Sequence, residues 1–257
     1  MWTCTSEVCT LIGDGRKEIA FHLKNRIRSQ ASIAGTFGRK NFTMRKPLIL
    51  ALVAIALFAG AAAAADPAGA AIAIIYDTSG SMAEPVANSK DVQEPKYRVA
   101  GTALESIAGK IDAFAKTHPV EATLITFQGT QVPLRKWEKA PFANWLAKFD
   151  SPTGNTPLGE AIAAAGKALA ASGLAKKHIV VITDGDSNGA LRPEAALRGL
   201  KKQANPPQVY VVAFDVKSKI FDALKNEGAV VLPASGKTLD SGLRTLFSEK
   251  ILLEDEE

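Results

Sequence analysis

The 257-residue sequence has only two cysteines, Cys4 and Cys9, and three histidines. Both cysteines lie in the first ten residues, so the rest of the chain has no thiol. That excludes disulfides, zinc–thiolate centres and cysteine nucleophiles there, and it leaves no lipobox cysteine for a lipid anchor. No histidine is placed as an obvious general base. Neither a Gly-x-Ser-x-Gly elbow nor a glycine-rich, lysine-bearing phosphate loop occurs. The formal charge of +5 belongs to one end of the chain. Residues 1–65 carry 9 Lys/Arg and 3 Asp/Glu, which leaves 22 and 23 for residues 66–257, a net charge of −1. A basic balance confined to the leader gives no argument for nucleic-acid binding.

What that leader contains is ordered. After Met44 come basic Arg45 and Lys46, an apolar stretch from Leu48 to Phe58, and Ala63-x-Ala65 before Asp66. This is the order of a secretory signal peptide with a small-residue cleavage site. Residues 44–65 are therefore expected to be the signal, and residues 1–43 an upstream extension, mis-annotated or disordered. The rival is an uncleaved anchor, since the uncharged stretch Pro47–Ala65 is 19 residues long, within the ~17–25 that span a bilayer. Its last seven residues are all Ala or Gly, which favours cleavage. Residues 66–257, 192 in number, suffice for one domain with a proper core.

From Ala70 onward, short apolar runs alternate with amphipathic ones. Ala71–Tyr76, Val120–Phe127, His178–Thr183 (HIVVIT), Gln208–Phe214 (QVYVVAF) and Ala229–Leu232 read as strands, several apolar throughout as in sheets buried on both faces. Gln131–Trp137 reads as a short polar edge strand. Helical spacing marks Tyr97–Lys116 through Leu104, Ile107, Ile111 and Phe114, and Pro157–Ala171 through Leu158, Ile162, Ala165 and Leu169. Shorter helices are expected at Phe142–Phe149, Arg192–Gln203, Lys217–Glu227 and Leu239–Ile251, with a frayed acidic tail at Glu254–Glu257. Strands separated by helices predict an α/β fold, a doubly wound, mostly parallel central sheet with helices on both faces. Ligands in such folds bind at the carboxyl ends of the strands.

Three polar segments fall at that edge. Asp77, Ser79 and Ser81 follow the first strand in DTSGS, Thr156 stands in TGNTPLG before a helix, and Asp184 ends the HIVVIT strand in TDG. All five side chains offer oxygen, which suits a hard cation such as Mg²⁺, Mn²⁺ or Ca²⁺. Gly80, between the serines, would let the backbone pass close to the ion. Each piece has a plainer reading alone: a polar turn or N-cap for DTSGS, an N-cap with proline at the first helical position for Thr156, and a common turn for Asp184-Gly185. In combination, in this order, they point to a metal site.

Together these motifs resemble those of the von Willebrand factor A domain, over about residues 70–250. The resemblance implies a Rossmann-like fold with a metal-ion-dependent adhesion site at Asp77, Ser79, Ser81, Thr156 and Asp184. It implies a divalent cation, most naturally Mg²⁺, and a protein partner that supplies an acidic residue to it. The stretch AEPVANSKDVQEPK departs from the family, whose first helix begins soon after the motif; it is expected to form a loop beside the metal, with a disordered insertion as the alternative. Asp186 and Asn188 read as solvated loop residues, His118 and His178 as surface or strand-end histidines. Trp137, Phe142 and Trp145 read as packing.

The expected function is a non-enzymatic, metal-dependent protein-binding module of the periplasm or exterior, of the kind that assembles or scaffolds envelope complexes in bacteria. A Mg²⁺-dependent hydrolase or phosphatase is the alternative, but a nucleophilic-aspartate phosphatase wants a second acid where Ser79 stands. A membrane-anchored form through residues 47–65 is the third reading.

Overall fold

The structure is a computed structural model that describes residues 2–5, 8–11, 69–185 and 187–253. The expected signal at 44–65, its junction at Asp66, most of the 1–43 extension, Asp186 and the tail Glu254–Glu257 lie outside the described residues. Among those described, no helix is long and apolar enough to cross a membrane.

The chain divides into two compact units, residues 1–60 and 61–257. In the first, β1 (Trp2–Thr5) and β2 (Val8–Leu11) form an antiparallel hairpin with Cys4 opposite Cys9. The sequence pattern predicts no strand there, because four residues are too few for a period of two to stand out.

The second unit opens with β3 (Ala70–Tyr76) and a 3₁₀ turn at Gly80–Ala83. The stretch expected to be a loop is instead a β-hairpin, β4 (Pro85–Ala87) and β5 (Gln93–Pro95). Asn88 closes it: its side chain accepts from the Lys90 and Val92 amides at 2.8 and 3.1 Å and donates to Glu94 at 2.8 Å. Then follow α1 (Lys96–Phe114), β6 (Val120–Thr126), β7 (Gly129–Lys136) and α2 (Lys139–Lys148). Next come α3 (Leu158–Ala170), β8 (Lys176–Thr183), α4 (Pro193–Leu200) and β9 (Gln208–Phe214). The helix expected at 217–227 is a 3₁₀ turn, Ser218–Phe221, leading into α5 (Asp222–Asn226). The chain ends with β10 (Val230–Ala234) and α6 (Leu239–Leu246), whose last turn widens into a π-type turn at Phe247–Ile251.

The main sheet runs β10-β9-β8-β3-β6-β7, parallel except for β7, which lies antiparallel at one edge. Strand β3 explains the layers. Its even residues Ile72, Ile74 and Tyr76 face a core built with Leu104, Ile107 and Ile111 of α1 and Leu243 of α6. Its odd residues Ala71, Ala73 and Ile75 face a second core with Ile162 and Leu169 of α3 and Leu197 of α4. A strand apolar on both sides requires cover on both sides, and each large aliphatic side chain so buried contributes about 1.5–3 kcal/mol. Trp137 and Phe142 pack in the first core with ring centroids 4.9 Å apart, and Trp145 stacks on Phe149, as the packing reading expects.

The connections create a switch point. From β3 the chain moves outward to β6 and β7, then returns to the other side of β3 as β8 and continues to β9 and β10. Beside that reversal, at the carboxyl ends of β3 and β8, the connections leave for opposite faces of the sheet, the place where folds of this kind form their ligand crevice.

Candidate metal centre

Asp77 is the first residue beyond β3, and its amide continues the ladder to the Ile182 carbonyl at 3.1 Å. The side chain is fully buried and both oxygens are engaged. Oδ1 accepts from the Ser79 amide at 2.7 Å; Oδ2 accepts from the Thr183 hydroxyl at 2.6 Å and the Asp184 amide at 3.4 Å. Asp77 thus bends the serine turn inward and ties it to the end of β8. Burial pushes its carboxyl above the ordinary range and the Asp184 charge adds to this, against the pull of the Ser79 and Thr183 hydrogen bonds.

The serines meet what that bend prepares. Ser79 Oγ lies 3.1 Å from Ser81 Oγ, and Ser81 Oγ donates to Asp184 Oδ1 at 2.7 Å. Neither the 3₁₀ turn behind Ser79 nor α3 has a side-chain cap. The plain N-cap readings of Ser79 and Thr156 are therefore not realised, and their hydroxyls do no capping work. Gly80 has open space about it, since a Cβ there would meet no other atom of the protein within 4 Å.

Thr156 reaches the crevice on a separate loop, strapped to the serine turn through Thr153 amide to Thr78 carbonyl at 2.8 Å and Gly80 amide to Gly154 carbonyl at 3.3 Å. Gly154 has φ +87°, a conformation that glycine adopts without strain. Asn188 and Thr156 exchange two bonds: the Thr156 amide donates to Asn188 Oδ1 at 2.7 Å and the Asn188 amide to the Thr156 carbonyl at 3.1 Å. The Ser187 hydroxyl adds a third contact to that carbonyl at 3.2 Å. The Thr156 hydroxyl faces Gly185, 3.8 Å from where a Cβ would stand. Behind it α3 docks closely, since a Cβ on Gly159 would fall 2.0 Å from the Leu191 carbonyl oxygen.

Four of the five expected residues, Asp77, Ser79, Ser81 and Asp184, are thus joined in one chain of hydrogen bonds. Thr156 is brought beside Gly185 and is held by the loop after Asp184. The donor set fits a hard divalent cation. An octahedral ion with bonds of ~2.0–2.1 Å has neighbouring ligands about 2.9 Å apart, and the Ser79–Ser81 and Ser81–Asp184 separations of 3.1 and 2.7 Å bracket that edge.

Two residues escape the sequence motifs. Asn188, expected to be a solvated loop residue, is exposed yet holds Thr156 in place. Lys96, first residue of α1, sends its ammonium to Asp184 Oδ2 and Glu84 Oε2, each at 2.9 Å, with Asp215 Oδ2 at 3.9 Å. Burial works against the Lys96 charge, but the hydrogen bonds to Asp184 and Glu84 prevail and hold its pKa above the ordinary lysine value.

Residues 71–230 match the family model described as von Willebrand factor type A domain. No curated protein matches the chain. Among solved structures, the PilB minor pilin from Streptococcus sanguinis is similar with a TM-score of 0.54 and 14% identity, over 70% of this chain and 60% of that one. The pilus adhesin SpaC from Lactobacillus rhamnosus GG is similar with a TM-score of 0.56 and 15% identity, over 69% of this chain and 30% of the adhesin. The vWF domain of the type V pili tip protein Mfa5 from Porphyromonas gingivalis has a TM-score of 0.54 and 10% identity, over 70% of this chain and 94% of that domain. At these identities the likeness is one of fold. The chain spans less than two thirds of the pilin and of the adhesin, and nearly all of the Mfa5 domain.

Proposed function

The chain belongs to the von Willebrand factor type A domain family, and from that premise we propose that it is an exported, non-enzymatic module that binds a protein partner through a divalent cation. Asp77, Ser79, Ser81, Thr156 and Asp184 hold the cation, most naturally Mg²⁺. Asp77 acts from behind, orienting the serine turn, while the hydroxyls of Ser79, Ser81 and Thr156 and the Asp184 carboxylate face the crevice. When bound, the cation supplies a Lewis-acidic position for a glutamate or aspartate of the partner. Neutral hydroxyls leave its charge incompletely balanced, which favours that extra carboxylate.

The observation that carries this reading is the spacing of Ser79 Oγ, Ser81 Oγ and Asp184 Oδ1, at 3.1 and 2.7 Å, with the serine hydroxyls free of capping duty. The non-enzymatic reading is supported by Asp77, whose fully buried carboxylate has both oxygens engaged and presents no nucleophile. Export rests on the signal-like residues 44–65, and the pilus and adhesin structures of like fold suit an extracytoplasmic binding role.

Titrating the purified protein with Mg²⁺ and Mn²⁺ beside a Ser79→Ala/Ser81→Ala variant tests the site. We expect saturable binding that weakens at least a hundredfold in the variant. The metal-loaded protein should also retain a partner from envelope extract that chelator releases. Absence of saturable metal binding, together with a partner held equally well in chelator, would overturn the proposal.

A further inference from the structure

Lys96 stands where an ordinary helix would not want it. It opens α1, which has no acid in its first turn and no side-chain cap. A cation there opposes the helix dipole, whose positive end is the N-terminus. The side chain is also only 7% exposed, and a lysine is almost never so buried unless paired. Its partners come from three places: Asp184 after β8, Glu84 before β4, and Asp215 after β9. The hairpin sets the position, because the Lys96 amide donates to the Glu84 carbonyl at 2.9 Å and fixes the start of α1 beside the crevice.

Resting on the metal reading above, we propose that Lys96 is a resident cation of the site. It competes with the divalent metal for Asp184, so that metal binding is an exchange of cations. Asp184 has two oxygens, and the protein uses both: Ser81 bonds Oδ1, and the Lys96 ammonium bonds Oδ2. A divalent ion that draws on Asp184 meets a positive charge a few ångströms away. Like charges about 5 Å apart, even at an effective dielectric of about 20, repel by more than a decade of affinity. Glu84 and Asp215 make the exchange possible. An ammonium that loosens its hold on Asp184 keeps Glu84, whose side chain is 64% exposed and free to follow, and lies within reach of Asp215. The metal-free site is therefore charge-compensated rather than a bare carboxylate, and its metal affinity is lower than its oxygen donors alone would give.

Mn²⁺ titrations of wild type, Lys96→Met and Lys96→Arg, read by electron paramagnetic resonance, separate the possibilities. We expect Lys96→Met to bind Mn²⁺ at least tenfold more tightly and Lys96→Arg to stay within a fewfold of wild type. Equal affinity in wild type and Lys96→Met, or weaker binding in Lys96→Met, would overturn the exchange while leaving the metal site standing. No binding by any of the three would overturn this inference, and joined with a partner held equally well in chelator it would overturn the metal reading too. Should Lys96→Met fail to fold, the wild-type protein still decides. In lysine-selective ¹⁵N spectra the Lys96 ammonium signal should move in step with Mg²⁺ occupancy, and a signal unchanged through saturation would overturn the exchange.

Discussion

His178 is the third residue of β8, buried, and neither of its ring nitrogens has a hydrogen-bond partner. It is a core residue rather than the strand-end histidine its sequence position suggests, because β8 begins two residues earlier, at Lys176. Burial, with the nearby Lys176 charge adding to it, pushes the His178 pKa from 6.5 down to about 4. The unfolded chain therefore binds the extra proton between those values. Stability from keeping His178 neutral is fully present above pH 6.5 and is lost as the pH falls towards 4, a loss of roughly 3 kcal/mol. Urea unfolding at pH 7.5 and pH 4.5 should show His178→Phe losing less stability than wild type by about that amount; equal losses would mean the ring is solvated. Residues differ in how plainly sequence exposes them. Asp77, Ser79, Ser81, Thr156 and Asp184 are legible because their side-chain types stand at strand ends in a fixed order. Lys96 is not, since its meaning lies in a partner 88 residues away and in a turn that only the folded hairpin supplies.

That hairpin is the element that sequence reading misses most. Pro85 and Pro95 punctuate the stretch as breakers, yet in the structure they face each other in register as the ends of three-residue strands. Proline is tolerated where a strand needs no further ladder bond, and strands this short leave no alternation to detect. The longer elements are legible to within a few residues because burial imposes the period on them: α1 and α3 at helical spacing, β8 and β9 as apolar runs. The hairpin instead depends on Asn88, which supplies three side-chain bonds to its turn and strand. Asn88→Ala should destabilise the hairpin locally by about 1 kcal/mol, the usual net worth of such contacts. Hydrogen exchange would show this as several-fold faster exchange at the Val92 and Lys96 amides, with Val181 in the centre of β8 unchanged. Equal acceleration at Val181 would mean that the hairpin opens only with the whole fold.

At the scale of the whole sheet, alternation of strands and helices reveals a doubly wound fold, and the polar Gln131–Trp137 stretch reveals an edge strand, but its antiparallel direction and the strand order are matters of packing that local pattern does not record. The order matters because it puts β8 beside β3 and so brings Asp77 and Asp184, 107 residues apart, into one crevice. The two halves of the sheet meet there over a buried carboxylate whose charged form is disfavoured by burial and by its neighbour Asp184. A neutral isostere keeps the bond to the Ser79 amide and can donate to the Thr183 hydroxyl while shedding the charge, giving up only the long 3.4 Å contact from the Asp184 amide. Asp77→Asn should therefore unfold at a higher temperature than wild type when both are in chelator at neutral pH. With Mn²⁺ the order should reverse, because shedding the Asp77 charge weakens the hold on the cation, and a ligand that binds the folded wild type far more tightly stabilises it by about 2.7 kcal/mol at a hundred times its dissociation constant. If Asp77→Asn is instead the less stable protein in chelator, the carboxylate is a structural tie first, and the switch point stores no instability for a metal to relieve.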